Sequence, residues 1–135
     1  MAIQLSVTLR NNMLDQVEST IGTAAVLKLR TGAPPADVAT ADSGTVVATM
    51  TLPSDWMNAA SSGSKTLLGT WQDTSADNAG TVGHFRIYAS DGTTKHLQGT
   101  VTATGGGGDL TLDNNVLAAG QAVSITSFTL TAGNA

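Results

Sequence analysis

The spacing of apolar residues changes once along the chain, at Gly22. Before it, Leu5, Leu9, Met13, Val17 and Ile21 recur every four residues, with Leu14 on the same flank. Residues four apart lie one helical turn from each other, so these positions form a stripe along an α-helix. Arg10, Asn11, Asn12, Asp15 and Glu18 fall on the other side, and Gly22 supplies a stop. The pattern predicts one amphipathic helix over about residues 6–21. Two placements are open for it: on the chain's own sheet, or as an arm against a partner subunit.

Beyond Gly22 the period falls to two, the spacing of strands. Val26 to Arg30 is a predicted strand, broken by Gly32-Ala33-Pro34-Pro35, because proline cannot donate to a ladder. The small, polar stretch Ala36 to Gly44 is a loop. Thr45 to Leu52 is a strand, Asp55-Trp56-Met57 a short helical turn, and Lys65 to Gln72 a strand carrying Leu67 and Trp71. Gly83 to Ala89 and Lys95 to Thr104 form a hairpin. A three-residue turn Ser90-Asp91-Gly92 sets Phe85 opposite Leu97 and sorts Phe85, Ile87, Leu97 and Val101 onto one face. The run Gly105 to Gly108 is a turn. Asp109 to Asp113 is a short strand and Gln121 to Thr131 a long last one, with a phase shift at Ser127 that a bulge explains. Seven or eight short strands behind one helix predict a mainly β chain. The expected architecture is an antiparallel β-sandwich, jelly-roll-like, in one compact domain, with residues 1–22 as a helical arm and 23–135 as the sandwich.

Composition narrows the function. Aromatics are only 4% of the 135 residues, so the core is expected to be thin and contacts with another subunit would help complete it. Charged residues are 12%, about half the usual share, which leaves a surface of Thr, Ser, Asn and Gln suited to static docking. A net charge of −4 with dispersed basic residues argues against nucleic acid. The absence of cysteine excludes disulfides, thiolate nucleophiles and Cys-ligated zinc. No secretory signal and no apolar run of membrane-spanning length is evident, so assembly in a cytoplasm is expected.

Candidate chemistry is sparse. The hairpin pattern puts His84, Arg86, Tyr88, His96 and Gln98 on the face opposite Phe85. That strip is either an ordinary wet face or a partner-binding one; two histidines without a third ligand make no metal site. Asp73, Ser75, Asp77 and Asn78 form the one acidic loop that resembles a calcium loop, but the glycine and glutamate of an EF-hand are missing and a polar turn fits better. No nucleophile elbow is present, and the glycine run lacks the Lys-Ser/Thr of a phosphate loop. Trp56 and Trp71 are expected as core or interface anchors, the alternative being a sugar platform. No cofactor, metal or catalytic residue is therefore expected. The partner-binding candidates are His84, Arg86, Tyr88, His96 and Gln98 on the hairpin and Leu5, Leu9 and Met13 on the helix.

Five stretches carry a resemblance: Leu27 to Pro34 (LKLRTGAP), Leu52 to Met57 (LPSDWM), Gly69 to Gly80 (GTWQDTSADNAG), Gly83 to Tyr88 (GHFRIY) and Gly99 to Asp113 (GTVTATGGGGDLTLD). Through them the whole chain resembles small virion proteins of tailed bacteriophages. The resemblance implies a capsid cement or decoration protein, a dimer or trimer on the capsid exterior that bridges major capsid protein subunits, made in the bacterial host's cytoplasm. It carries no functional residues across. The alternatives are a tail or baseplate component and a carbohydrate-binding β-sandwich module with Trp56, Trp71 or Tyr88 as its platform.

Overall fold

A computed structural model describes residues 3–133 as one helix and ten strands. Helix α1 spans Val7–Ile21. Ser6 caps it by accepting the Leu9 N–H at 3.1 Å, and Gly22 ends it with φ 92°, donating to the Glu18 carbonyl at 2.9 Å.

The largest sheet is built on β1 (Val26–Thr31), β2 (Val46–Thr51), β5 (Gly80–Tyr88), β6 (Lys95–Ala103) and β7 (Leu110–Leu112), in the order β2-β1-β5-β6-β7. The short β8 (Val116–Leu117), which the apolar pattern does not signal, pairs with the start of β5. All pairings are antiparallel except β6 with β7. Parallel neighbours usually need a long crossover, but these two overlap by only three residues, Val101↔Leu110 to Ala103↔Leu112. The return therefore retraces only about 10 Å. The glycine run makes that reversal, with Gly105 at φ 89° and Gly107 at φ 81°.

Two predicted strands are each cut in two. The Lys65 to Gln72 stretch becomes β3 (Ser64–Thr66) and β4 (Trp71–Asp73), separated at Gly69, which has φ 77°. The Gln121 to Thr131 stretch becomes β9 (Val123–Ile125) and β10 (Thr129–Thr131). The fragments pair with one another, β3 with β10 and β4 with β9. The register moves by one residue between the two ribbons, from Lys65↔Leu130 to Trp71↔Ile125. The phase shift at Ser127 is thus a full break on both chains rather than a bulge in one. Asp55-Trp56-Met57 is also not helical: Met57 bridges to Leu67.

The core lies between the apolar face of the sheet and the two ribbons. The aromatics, few as they are, are all buried, and four of them form one run. Trp56 and Trp71 lie 5.8 Å apart, Trp71 and Phe128 5.5 Å, and Phe128 meets the edge of Phe85 at 5.6 Å. Contacts of this kind add roughly 0.5–1.5 kcal/mol each beyond area burial. Ile21 belongs to the same core, so the helix is tied to the chain's own sheet.

The hairpin differs from its expected register. Four residues, 90–93, close it through the Ala89 N–H and Thr94 carbonyl at 2.9 Å. Asp91 organises the tip: hydrogen bonds from Thr94 and Thr93 hold its carboxyl at about 2. An irregularity then shifts the pairing, so Ile87 faces Leu97 and Phe85 faces Gly99. A methyl at Gly99 would sit 2.6 Å from the Phe85 ring; the ring takes the space a side chain would need. The face sorting survives, because the shift is two residues and the strand period is two.

Candidate functional site

Strand β5 alternates polar and apolar residues, yet from His84 to Tyr88 every residue is buried. Its apolar side faces the core. Its polar side is covered by residues 32–44, which cross the sheet as a strap. The expectation of an open polar strip is therefore corrected. His84, Arg86 and Tyr88 are each 0% exposed, and Gln98 is half-buried beside them. His96 leaves the group altogether. The irregularity in β6 turns it to the surface beside α1, where it lines a shallow groove with Met13, Val17 and Leu97.

Asp42 is the centre of the covered face. Its Oδ1 accepts from Arg86 Nη1 at 2.7 Å and from Tyr88 Oη at 3.0 Å, and its Oδ2 accepts from Arg30 Nη2 at 3.0 Å. Partial burial pushes the Asp42 carboxyl up, but Tyr88, Arg86 and Arg30 outweigh it and hold it below the usual carboxylate range. Arg86 also donates to the Thr40 carbonyl at 2.9 Å, the Asp37 carbonyl at 3.1 Å and Gln98 Oε1 at 2.8 Å. Gln98 in turn donates to the Pro35 carbonyl at 2.8 Å. His84 reaches the Gly32 carbonyl through Nδ1 at 2.9 Å, so that nitrogen carries the proton; burial lowers its pKa and keeps the ring neutral. Burial raises the Tyr88 phenol, which stays a donor.

The helix is also oriented differently from its apolar pattern. Four of the residues assigned to its solvent side face the chain's own body. Arg10 donates to the Ala132 carbonyl, Asn11 accepts from Gly63 N–H, and Glu18 accepts from Trp56 and Met57 N–H. Asp15 accepts from Ala60 N–H at 2.8 Å and from Lys65 at 2.8 Å. Lys65, only 2% exposed, also meets Glu18 at 3.0 Å and donates to the Asn58 carbonyl. Burial alone would lower the Lys65 pKa; its two carboxylate partners raise it instead. The Lys65 hydrogen bond and the Ala60 N–H lower that of Asp15. Glu18 sits beside Asp55 and pushes that carboxyl up.

Arg10, Asp15 and Glu18 all bond to the chain's own body, Asp15 with 43% of its side chain still exposed, and the flank carrying Leu9 and Met13 holds no charged residue. Leu14 and Ile21 are buried and Val17 packs on the core, but Leu9 is 46% and Met13 51% exposed. Leu5 is half-exposed. Among the described residues, four of the five exposed large hydrophobics belong to this segment: Ile3, Val7, Leu9 and Met13. The stripe therefore splits, its C-terminal half in the core and its N-terminal half outside.

The remaining candidates have internal duties. In the acidic loop, Asp73 accepts from Thr49 and Ser75 N–H, Asp77 accepts from the Thr49 hydroxyl, and Asn78 donates to the Val46 carbonyl. These bonds cover the outer edge of β2. Trp56 is 0% and Trp71 1% exposed, with indole N–H groups on the Gly22 carbonyl and on the Trp56 and Leu68 carbonyls. With Tyr88 also buried, no ring proposed as a sugar platform reaches the surface.

Sequence reasoning did not single out Asp42, Arg30 or Lys65. Arg30 and Arg86 share a strand face by parity, and Asp42 is one of two acids in an otherwise small, neutral loop. Among the described residues no helix is long and apolar enough to cross a membrane, and no group of three or more His, Cys, Asp or Glu could hold a metal ion. Compared with protein-family models, curated proteins and solved structures, the chain matches none.

Proposed function

We propose that the chain is a structural, non-catalytic virion protein that binds the outer surface of a tailed-bacteriophage capsid and stabilises contacts between major capsid protein subunits. The observation that carries this reading is the orientation of α1. A helix that needed only to cover its own domain would bury its whole apolar stripe; this one turns Asp15 and Glu18 towards Lys65 and leaves Leu9 and Met13 outside. The uncharged outer flank favours docking on another protein and gives no purchase to a polyanion. The resemblance in the five sequence stretches supplies the kind of partner. The same reading takes the six-stranded sheet and the two ribbons as the layers of a jelly-roll-like sandwich, and the protein as a dimer or trimer.

The test compares particles with and without the protein under heating. Particles that carry it are expected to release their DNA at a higher temperature, with hundreds of copies bound per particle. Equal release temperatures would defeat the cement reading, and a copy number in the tens or below would move the protein to the tail.

A further inference from the structure

The strap over the polar face is held by a one-sided set of hydrogen bonds. No residue from 32 to 45 is fully buried or belongs to the core, although Pro34, Pro35 and Val38 are half-buried. Among the described residues, every hydrogen bond between residues 32–44 and the side chains of the sheet runs one way. The sheet donates, from Arg30, His84, Arg86, Tyr88 and Gln98. The strap accepts, through six backbone carbonyls and Asp42.

The donors also exceed the charge they receive. Two guanidiniums surround one carboxylate. Arg30 meets Asp42 well through Nη2, but its Nη1 contacts with the Ser43 and Gly44 carbonyls are 3.5 Å and its buried Nε has no partner. Arg86 keeps a partner outside the strap, Gln98 Oε1 at 2.8 and 3.1 Å, and both arginines stand on central strands. Preorganised guanidinium and phenol donors converging on one point are what recognition of a carboxylate requires.

We propose that Arg30, Arg86 and Tyr88 form a carboxylate-binding site that Asp42 fills from within the chain. The strap of residues 33–44 is a latch that yields this site to an acidic side chain of a docking partner. Exchange replaces one carboxylate by another and exposes no apolar core, so the rest of the fold is retained. The site does not depend on the capsid reading.

Asp42→Ala tests it in the full-length chain. Elastase, which cuts after small residues, should cleave the variant between Ala36 and Ala41 at least about tenfold faster than the wild type, the change expected when one charge-assisted hydrogen-bond set is lost. Acetate should then raise the variant's melting temperature above that in chloride of equal ionic strength, by filling the vacated site, and leave the wild type unchanged. Cleavage as slow as in the wild type would overturn the latch; acetate no better than chloride would overturn the site. Should Asp42→Ala fail to fold, Asp42→Asn, which keeps one acceptor, should be cleaved at an intermediate rate, and wild-type resistance there would equally overturn the proposal.

Discussion

Helix α1 and the strap 32–44 cover different parts of the same β framework, and each brings carboxylates to buried cations of that framework. For the helix they are Asp15 and Glu18 on Lys65; for the strap it is Asp42 on Arg30 and Arg86. The difference lies underneath the charges. The helix also buries Leu14 and Ile21 and packs Val17 on the core, whereas no strap residue is fully buried or part of that core. Burying an aliphatic side chain contributes roughly 1.5–3 kcal/mol, so the helix is held by packing and located by charge. The strap is held chiefly by polar bonds. One cover is permanent and the other is releasable, and the chain's two candidate contact regions follow from that contrast.

The contrast breaks most severely on the helix side. Ile21→Ala should cost about 2–4 kcal/mol and expose α1 to proteolysis while the strap stays resistant. If the strap is cut as readily as the helix, the two covers are one cooperative unit. Arg86→Met leaves two strap carbonyls and Gln98 Oε1 without their donor, while Arg30 and Tyr88 still hold Asp42, and should cost about 1–3 kcal/mol in urea unfolding. A loss below about 1 kcal/mol would mean that the strap carries no buried ion pair of consequence.

Acid should separate the covers without mutation. The folded pKa of Asp42 is depressed, so its contribution is present above the unfolded value of about 3.9 and is lost as the pH falls through the folded value. Asp15 follows the same sign, but the helix retains its apolar anchor. Below about pH 3.9, the Arg86 side-chain N–H signals should broaden and shift while the amides of α1 remain protected from exchange. Simultaneous loss of both would contradict the difference in anchoring. The smallest effect on stability belongs to the outer flank: Leu9→Glu with Met13→Glu should change unfolding by no more than about 0.5 kcal/mol per site.

How far the sequence foretells all this depends on which interaction decides each element. The helix bounds, the strands β1, β2, β5, β6 and β7, and the grouping of Phe85, Ile87, Leu97 and Val101 are set by local periodicity and were legible. The breaks at Gly69 and Ser127 were half-legible, since a phase shift marks a discontinuity but not the partner each half will choose. The burial of His84, Arg86 and Tyr88 was not legible, because alternation shows which residues share a face and not what covers it. The split of the α1 stripe was hidden for a related reason. A helical stripe assumes that apolar residues go inward, and here Lys65, about fifty residues away, draws Asp15 and Glu18 inward instead. Long-range ion pairs leave no periodic trace.

One competition reaches the outer flank of α1 directly. Particles lacking the protein are mixed with equal amounts of wild-type chain and the Leu9→Glu, Met13→Glu variant, then purified, and the bound chains are quantified by mass spectrometry. The variant should be depleted at least about tenfold, a difference of roughly 1.4 kcal/mol in attachment, although it folds as stably as the wild type. Equal occupancy by the two chains would contradict attachment through this flank.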